Sequence, residues 1–220
     1  MILYGATLSP FVRKTMAYAR EKGIELTLEQ VGLGRGSPAF YEASPFGKMP
    51  AFRDPGADDG RDFVISDSTA IIAYLEAKFP EPELIPHSPI ARARTVWFEE
   101  FADTIFVACG GKIFFNRFLA PRILKRDGDA ALAATAETEE LPPILDYLEK
   151  VIPDSRFLVE DRLTVADLAV ASPFVNLAHC GDMLDAARWP RTAAYVSAIL
   201  ARPSFAPIVA AERAMIAALA

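Results

Sequence analysis

The feature that most restricts the fold of this chain is a change of hydrophobic period near residue 80. Before it, short alternating apolar runs and helical stretches take turns. After it, every apolar pattern has helical spacing. Ile2, Leu3 and Tyr4 read as a strand. Ser9-Pro10 then opens a helix, with a hydroxyl at the N-cap, proline at the first helical position and Gly23 just past Lys22 to end it. Val12, Met16, Ala17 and Ala19 are among its apolar positions. Leu26, Leu28 and Val31 alternate with polar neighbours as a second strand, and two strands joined by a helix make a parallel βαβ unit. Residues 32–48 are rich in Gly, Ser and Pro and read as irregular. Residues 50–53 and 63–65 read as a hairpin, whose connection over 54–62 is expected to be long and solvated. Residues 67–79 form an amphipathic pattern stopped by Pro80.

Residues 81–89 carry three prolines and His87 and read as a linker. Beyond it a long helix is expected over 90–118, bent or interrupted at Gly110-Gly111. A second, over 130–151, is expected to kink or split at Pro142-Pro143. Thr164 is placed to cap the next helix, with Asp167 reaching back and Leu163 stapling against Leu168. That helix is apolar nearly all round (Val165, Leu168, Ala169, Val170, Phe174, Val175, Leu177), the pattern of a buried central helix. Two further helices fit 191–200 and 204–219. The fold class is therefore α/β followed by all-α: a small α/β domain over 1–80, a linker over 81–89 and a helical domain over 90–220.

Composition narrows the function. At 52% hydrophobic and 24% charged, the chain has an ordinary globular balance. A net charge of −6 with scattered basic residues argues against nucleic acid and against an anionic membrane as partners. The charge-free apolar run 168–181 is too short to span a bilayer and holds Asn176 and His179. Met1 leads straight into a strand pattern without a charged leader, so a cytoplasmic location is expected. Cys109 and Cys180 are isolated, and only His87 and His179 accompany them. Neither a disulfide framework nor a metal site is expected, and both cysteines read as small buried apolar residues.

Three local features bear on chemistry. Ser9 sits at a helix N-terminus, where free N–H donors favour an anion; its hydroxyl either caps the helix or donates to a ligand thiolate. Met49-Pro50 precedes a strand. Proline is tolerated there because no ladder donor is needed; a cis bond would instead turn the Met49 backbone outward to pair with an extended peptide. Asp67-Ser68 starts the third helix, with Ser66 or Asp67 as N-cap. Alternatively, free N–H groups and the Ser68 hydroxyl receive a carboxylate while Asp67 takes an ammonium.

Ser-Pro-Phe at 9–11, Gly-Lys-Met-Pro-Ala at 47–51 and Ser-Asp-Ser-Thr-Ala-Ile-Ile-Ala-Tyr-Leu at 66–75 together resemble the glutathione transferase superfamily, in its serine-type branches (tau, zeta and theta-like bacterial members). Residues 164–167 resemble the capping box of that family's sixth helix. The resemblance runs the length of the chain. It implies a thioredoxin-like first domain that binds glutathione, with Ser9 bonded to the sulfur, Met49, before cis-type Pro50, pairing with the cysteinyl backbone, Asp67 and Ser68 holding the γ-glutamyl end and Lys48 either meeting the glycine carboxylate or standing as a solvated loop lysine. Asp67 stands where the family more often has Glu, and Thr7, two residues from Ser9, is the alternative partner for the sulfur. Glutathione is then a co-substrate, no metal is implied, and a homodimer is expected. A small apolar electrophile is the second substrate, in a pocket between the first helix tip and the long helix after the linker, with Phe11, Phe106 and Phe114 as lining. Core packing is the alternative role for those rings. Rivals on the same scaffold are a glutathione-dependent isomerase, dehalogenase or peroxidase, and a non-catalytic binding or interaction protein. The sequence lacks the Ser-Ser-Cys cluster of zeta-type isomerases, and serine rather than cysteine at position 9 disfavours thiol–disulfide exchange.

Overall fold

A computed structural model describes residues 1–32, 34–181 and 183–218. The chain divides into two compact units, Met1–Leu84 and Ile85–Ala220. The first unit contains β1 (Ile2–Gly5), α1 (Pro10–Glu21), β2 (Thr27–Gln30), α2 (Pro38–Ala43), β3 (Ala51–Asp58), β4 (Arg61–Ser66) and α3 (Ser68–Lys78). The sheet order is β2-β1-β3-β4. β1 and β2 are parallel, as a βαβ unit requires, and the other pairs are antiparallel.

Side chains alternate across this sheet with period two. Tyr4 and Ala51 join Val31, Phe40 and Ala43 in one apolar cluster under α2, with the Met49 side chain packed against it. Their neighbours Leu3 and Phe52 pair in register and are fully buried. Phe52 meets Tyr74 of α3 with ring centroids 5.7 Å apart, so this opposite face carries α3.

Two expectations for this unit need correction. Residues 32–48 contain the short helix α2, opened by Ser37, whose hydroxyl accepts the Phe40 N–H at 3.2 Å, and by Pro38. The Ser-Pro pair at 37–38 is the same start signal as at 9–10. The connection at 54–62 is also largely strand. β3 and β4 pair as far as Asp58 and Arg61 around a two-residue turn, Asp59-Gly60, with φ of +48° and +85°. Positive φ at both central positions is the hairpin turn that Asp-Gly favours. An irregularity between Asp54 and Asp58, where Gly56 has φ +71°, accounts for the extra residues.

The C-terminal ends of α1 and α3 are joined by buried charge. Lys22 pairs with Glu76 at 2.7 Å and donates to the carbonyls of Phe79 and Pro82, each at 2.7 Å. Glu76 also accepts from Tyr18 and from the Leu84 N–H. A buried lysine needs such a set of acceptors to offset its lost hydration. This cage fixes the proline-rich segment where it leaves α3.

The second unit begins with α4 (Pro89–Glu100), so its first helix takes in the last residue of the expected linker. α5 (Val107–Phe114) follows, and π-helical segments span Phe101–Phe106 and Phe115–Ile123. Gly110 and Gly111 lie inside α5 rather than at a break; the changes of helical register fall on either side of it. α6 (Ala130–Thr135) passes through a third π segment, Ala136–Glu140, into α7 (Leu141–Val151). Pro142 and Pro143 occupy the first turn of α7, where no intrahelical N–H is required, so the register change precedes them. α8 (Val165–Cys180), α9 (Pro190–Leu200) and α10 (Ala206–Ala217) complete the unit. Every residue of α8 from Val165 to Leu177 is buried, and α4, α5 and α9 pack against it. Burial of each large apolar side chain contributes about 1.5–3 kcal/mol, which makes α8 the main apolar anchor of this unit.

Candidate functional site

Strand register brings the three sequence features to one end of the sheet. Tyr4, Ala51 and Ser66 form a single row across β1, β3 and β4. Immediately beyond that row the chain leaves through Gly5 toward Ser9, arrives through Met49-Pro50, and leaves again through Asp67-Ser68. The Asp67 N–H donates to the Pro50 carbonyl at 3.2 Å, tying the last two together.

At the α1 tip, Ser9 has extended backbone angles and its carbonyl accepts the Arg13 N–H at 3.0 Å. It is therefore the N-cap by backbone, yet its side chain makes no capping bond. Ser9 is half-buried, and its hydroxyl, free of any capping bond, keeps its donor available at a helix N-terminus. Gly5 makes this approach possible: a Cβ there would lie 2.5 Å from Cγ2 of the buried Val12. Thr7, the alternative sulfur partner, lies in the turn before the helix and is also half-buried. Phe11 is half-buried on the first turn of α1.

The Met49–Pro50 bond is cis. Among the described residues, no hydrogen bond engages the Met49 N–H or C=O, so both are open to a ligand with extended backbone. Lys48 is exposed, and its carbonyl accepts the Ser44 hydroxyl at 2.7 Å.

Asp67 is the N-cap of α3; one carboxylate oxygen accepts the Thr69 and Ala70 N–H groups at 2.9 and 3.1 Å. Those two donors are satisfied internally. Left without a partner among the described residues are the second Asp67 carboxylate oxygen and the N–H and hydroxyl of Ser68, a residue only 3% exposed. Asp67 has φ +86°, a costly conformation for a residue with a Cβ, and strain of this kind concentrates at binding sites.

Two aromatic candidates do not line an open surface. Phe106 is fully buried and meets Phe174 edge-on at 4.7 Å; Phe114 is 6% exposed and stacks on Phe118 at 5.1 Å. Helical periodicity cannot separate a core ring from a pocket ring, and here core packing claims both. Cys109 is buried, whereas Cys180 is half-buried rather than fully so. Burial pushes both thiols up to about 11, which leaves little thiolate on either at neutral pH. Among the described residues no cluster of His, Cys, Asp or Glu is arranged to hold a metal ion, and no helix is long and apolar enough to cross a membrane. Sequence reading did not single out Gly5, the Ser44–Lys48 hydrogen bond or the positive φ of Asp67; a glycine closing a strand just before a helix tip was the available signal for the first.

The fold and this end of the sheet define a thioredoxin-like α/β domain followed by an all-helical domain. Known proteins carry the assignment further. The family models for the "Glutathione S-transferase, N-terminal domain" and the "Glutathione S-transferase, C-terminal domain" match residues 3–83 and 120–210. Glutathione S-transferase 3 of Zea mays is 31% identical over 95% of this chain and 93% of its own, and a glutathione S-transferase of Hyoscyamus muticus is 29% identical over 95% and 97%. A crystal structure of a glutathione S-transferase from Rhodospirillum rubrum superposes with a TM-score of 0.82 at 25% identity, covering 94% of this chain and 90% of that one. The chain belongs to the glutathione S-transferase family of enzymes.

Proposed function

We propose that the protein binds glutathione along the end of the sheet described above and activates its thiol for attack on a small apolar electrophile. The observation that carries this reading is the unused Ser9 hydroxyl: a serine that begins a helix without capping it, at the same sheet end as an unpaired Met49 backbone. Glutathione would lie extended, its cysteinyl backbone paired with Met49 beside Pro50, and its γ-glutamyl carboxylate on the Ser68 N–H and hydroxyl. The free Asp67 oxygen would take its ammonium, and Lys48 its glycine carboxylate. Phe11 would stand beside the sulfur and the electrophile.

A serine hydroxyl is too weak a base to remove the thiol proton; it acts by donating to the thiolate. A hydrogen bond to a charged group contributes roughly 1.5–3 kcal/mol, and one pKa unit is about 1.4 kcal/mol. Ser9 would thus lower a thiol of ordinary pKa near 8.5 by about one to two units, and the helix N-terminus adds roughly 0.3–1 kcal/mol. The thiol then titrates near neutrality, where thiolate fraction and nucleophilicity are both high. The thiol proton passes to solvent as the thiolate forms, the thiolate sulfur bonds to the electrophilic carbon, and the leaving group departs with the displaced electron pair. We infer that two copies associate, which sedimentation would measure. Calorimetric titration with glutathione tests the binding reading: micromolar to millimolar affinity, weakened about tenfold or more by Ser68→Ala, is expected. No heat of binding at millimolar glutathione would overturn it.

A further inference from the structure

The loop that delivers Met49 to the sheet is held by one buried serine. Ser44 is fully buried and makes three hydrogen bonds. Its N–H donates to the Phe40 carbonyl at 2.8 Å, ending α2 on the apolar cluster under the sheet. Its carbonyl accepts the Gly47 N–H at 2.9 Å, closing a turn in which Gly47 takes φ +67°. Its hydroxyl donates to the Lys48 carbonyl at 2.7 Å. The first two are backbone bonds that any residue would make. The third is made by the side chain, and it falls on the peptide unit joining Lys48 to Met49.

That peptide unit is rigid and planar. Its carbonyl oxygen and the Met49 N–H sit on the same plane, pointing in opposite directions. Fixing the Lys48 oxygen inward on Ser44 therefore sets the direction of the Met49 N–H, which has no partner among the described residues. The Met49 side chain, packed on the same apolar cluster as Phe40, holds the other end. We propose that Ser44 is a positioning residue for glutathione: its hydroxyl orients the Lys48–Met49 peptide so that the Met49 N–H meets the cysteinyl backbone of the tripeptide. The inference rests on the binding reading above. It adds a residue that touches neither substrate and acts only through one peptide plane.

A matched pair of variants isolates the hydroxyl from packing: Ser44→Thr retains it, and Ser44→Val has nearly the same shape without it. Each is compared with the wild type by glutathione calorimetry and by steady-state turnover with a nitroaryl chloride, with thermal unfolding alongside. The expected result is a glutathione Kd and KM raised about five- to tenfold in Ser44→Val relative to Ser44→Thr, with kcat within about twofold. Equal glutathione affinities in the Thr and Val variants, with wild type binding normally, would overturn the role of Ser44 while leaving the binding site in place. A Val variant that loses kcat and thermal stability together, with KM unchanged, would also overturn it, since Ser44 would then be a structural residue only. A wild-type protein that fails to bind glutathione would overturn the binding reading, and this inference with it.

Discussion

The α1 and α8 helices both begin at a residue with a hydroxyl, and the two hydroxyls are used in opposite ways. At α8, Thr164 is fully buried, and the Asp167 carboxylate accepts its N–H at 2.9 Å and its hydroxyl at 3.3 Å. The same carboxylate accepts the Leu158 N–H at 2.9 Å and the Tyr195 hydroxyl at 3.2 Å. Four donors converge on one acidic side chain, and the tip of α8 is closed. At α1, Ser9 makes no side-chain capping bond, and no acidic residue lies in the first turn. That tip is open. A closed tip stabilises its helix, whereas an open one leaves donors and potential for a ligand. The residue type at the N-cap does not separate these roles; the partner of the hydroxyl does.

Breaking the closed tip should have the largest effect on stability. Asp167→Ala leaves four donors without their acceptor in a buried place, and a loss of about 3–5 kcal/mol is expected in denaturant unfolding. A loss below about 1 kcal/mol would mean that the tip is not the anchor described. Ser9→Ala should cost less than about 0.5 kcal/mol by the same measurement, because its hydroxyl caps nothing. It should nevertheless lower turnover at fixed pH about tenfold or more. Between these lies Gly5→Ala. Its Cβ would collide with Val12 at 2.5 Å, so α1 must shift; about 1–3 kcal/mol of stability and part of the glutathione affinity should be lost together.

Titration sharpens the comparison further. Burial raises the Asp167 carboxyl to about 6 against its donors from Leu158, Thr164 and Tyr195. The native state then holds a proton that the unfolded chain has released. The stabilisation from this proton is complete below about pH 4 and is lost as pH rises through about 6. Unfolding of Asp167→Asn as a function of pH should lack this decline. Identical slopes for the two proteins between pH 4 and 7 would remove Asp167 as its source. The smallest effect concerns the thiols. With both cysteines at about 11, alkylation of the native protein at pH 7 should be far slower than after unfolding.

Periodicity made the order βαβ, ββ, α and the central helix α8 legible, because each rests on an apolar pattern that tertiary packing only reinforces. Local chemistry made both start signals legible at Ser9 and Thr164. The hairpin turn at Asp59-Gly60 was present in the sequence as Asp-Gly, but the extra residues between Asp54 and Asp58 hid it within an apparent loop. The Ser37-Pro38 start of α2 was masked by the Gly and Ser around it. Three things had no local signature. Phe106 and Phe114 have the spacing of pocket and core residues alike, and only burial separates them. The Lys22–Glu76 cage joins residues more than fifty positions apart. Asp67 takes its positive φ where β4 ends and its N–H bonds the Pro50 carbonyl, a long-range pairing that no local pattern announces.

The open tip of α1 is tested most directly by titrating the ultraviolet absorbance of the glutathione thiolate bound to the wild type and to Ser9→Ala. The wild type should hold the thiol about one to two units or more below its solution value, and the variant should return it most of the way while binding glutathione with similar affinity. Equal thiol pKa values in the two proteins, both with glutathione bound, would contradict the assignment of the Ser9 hydroxyl to the sulfur.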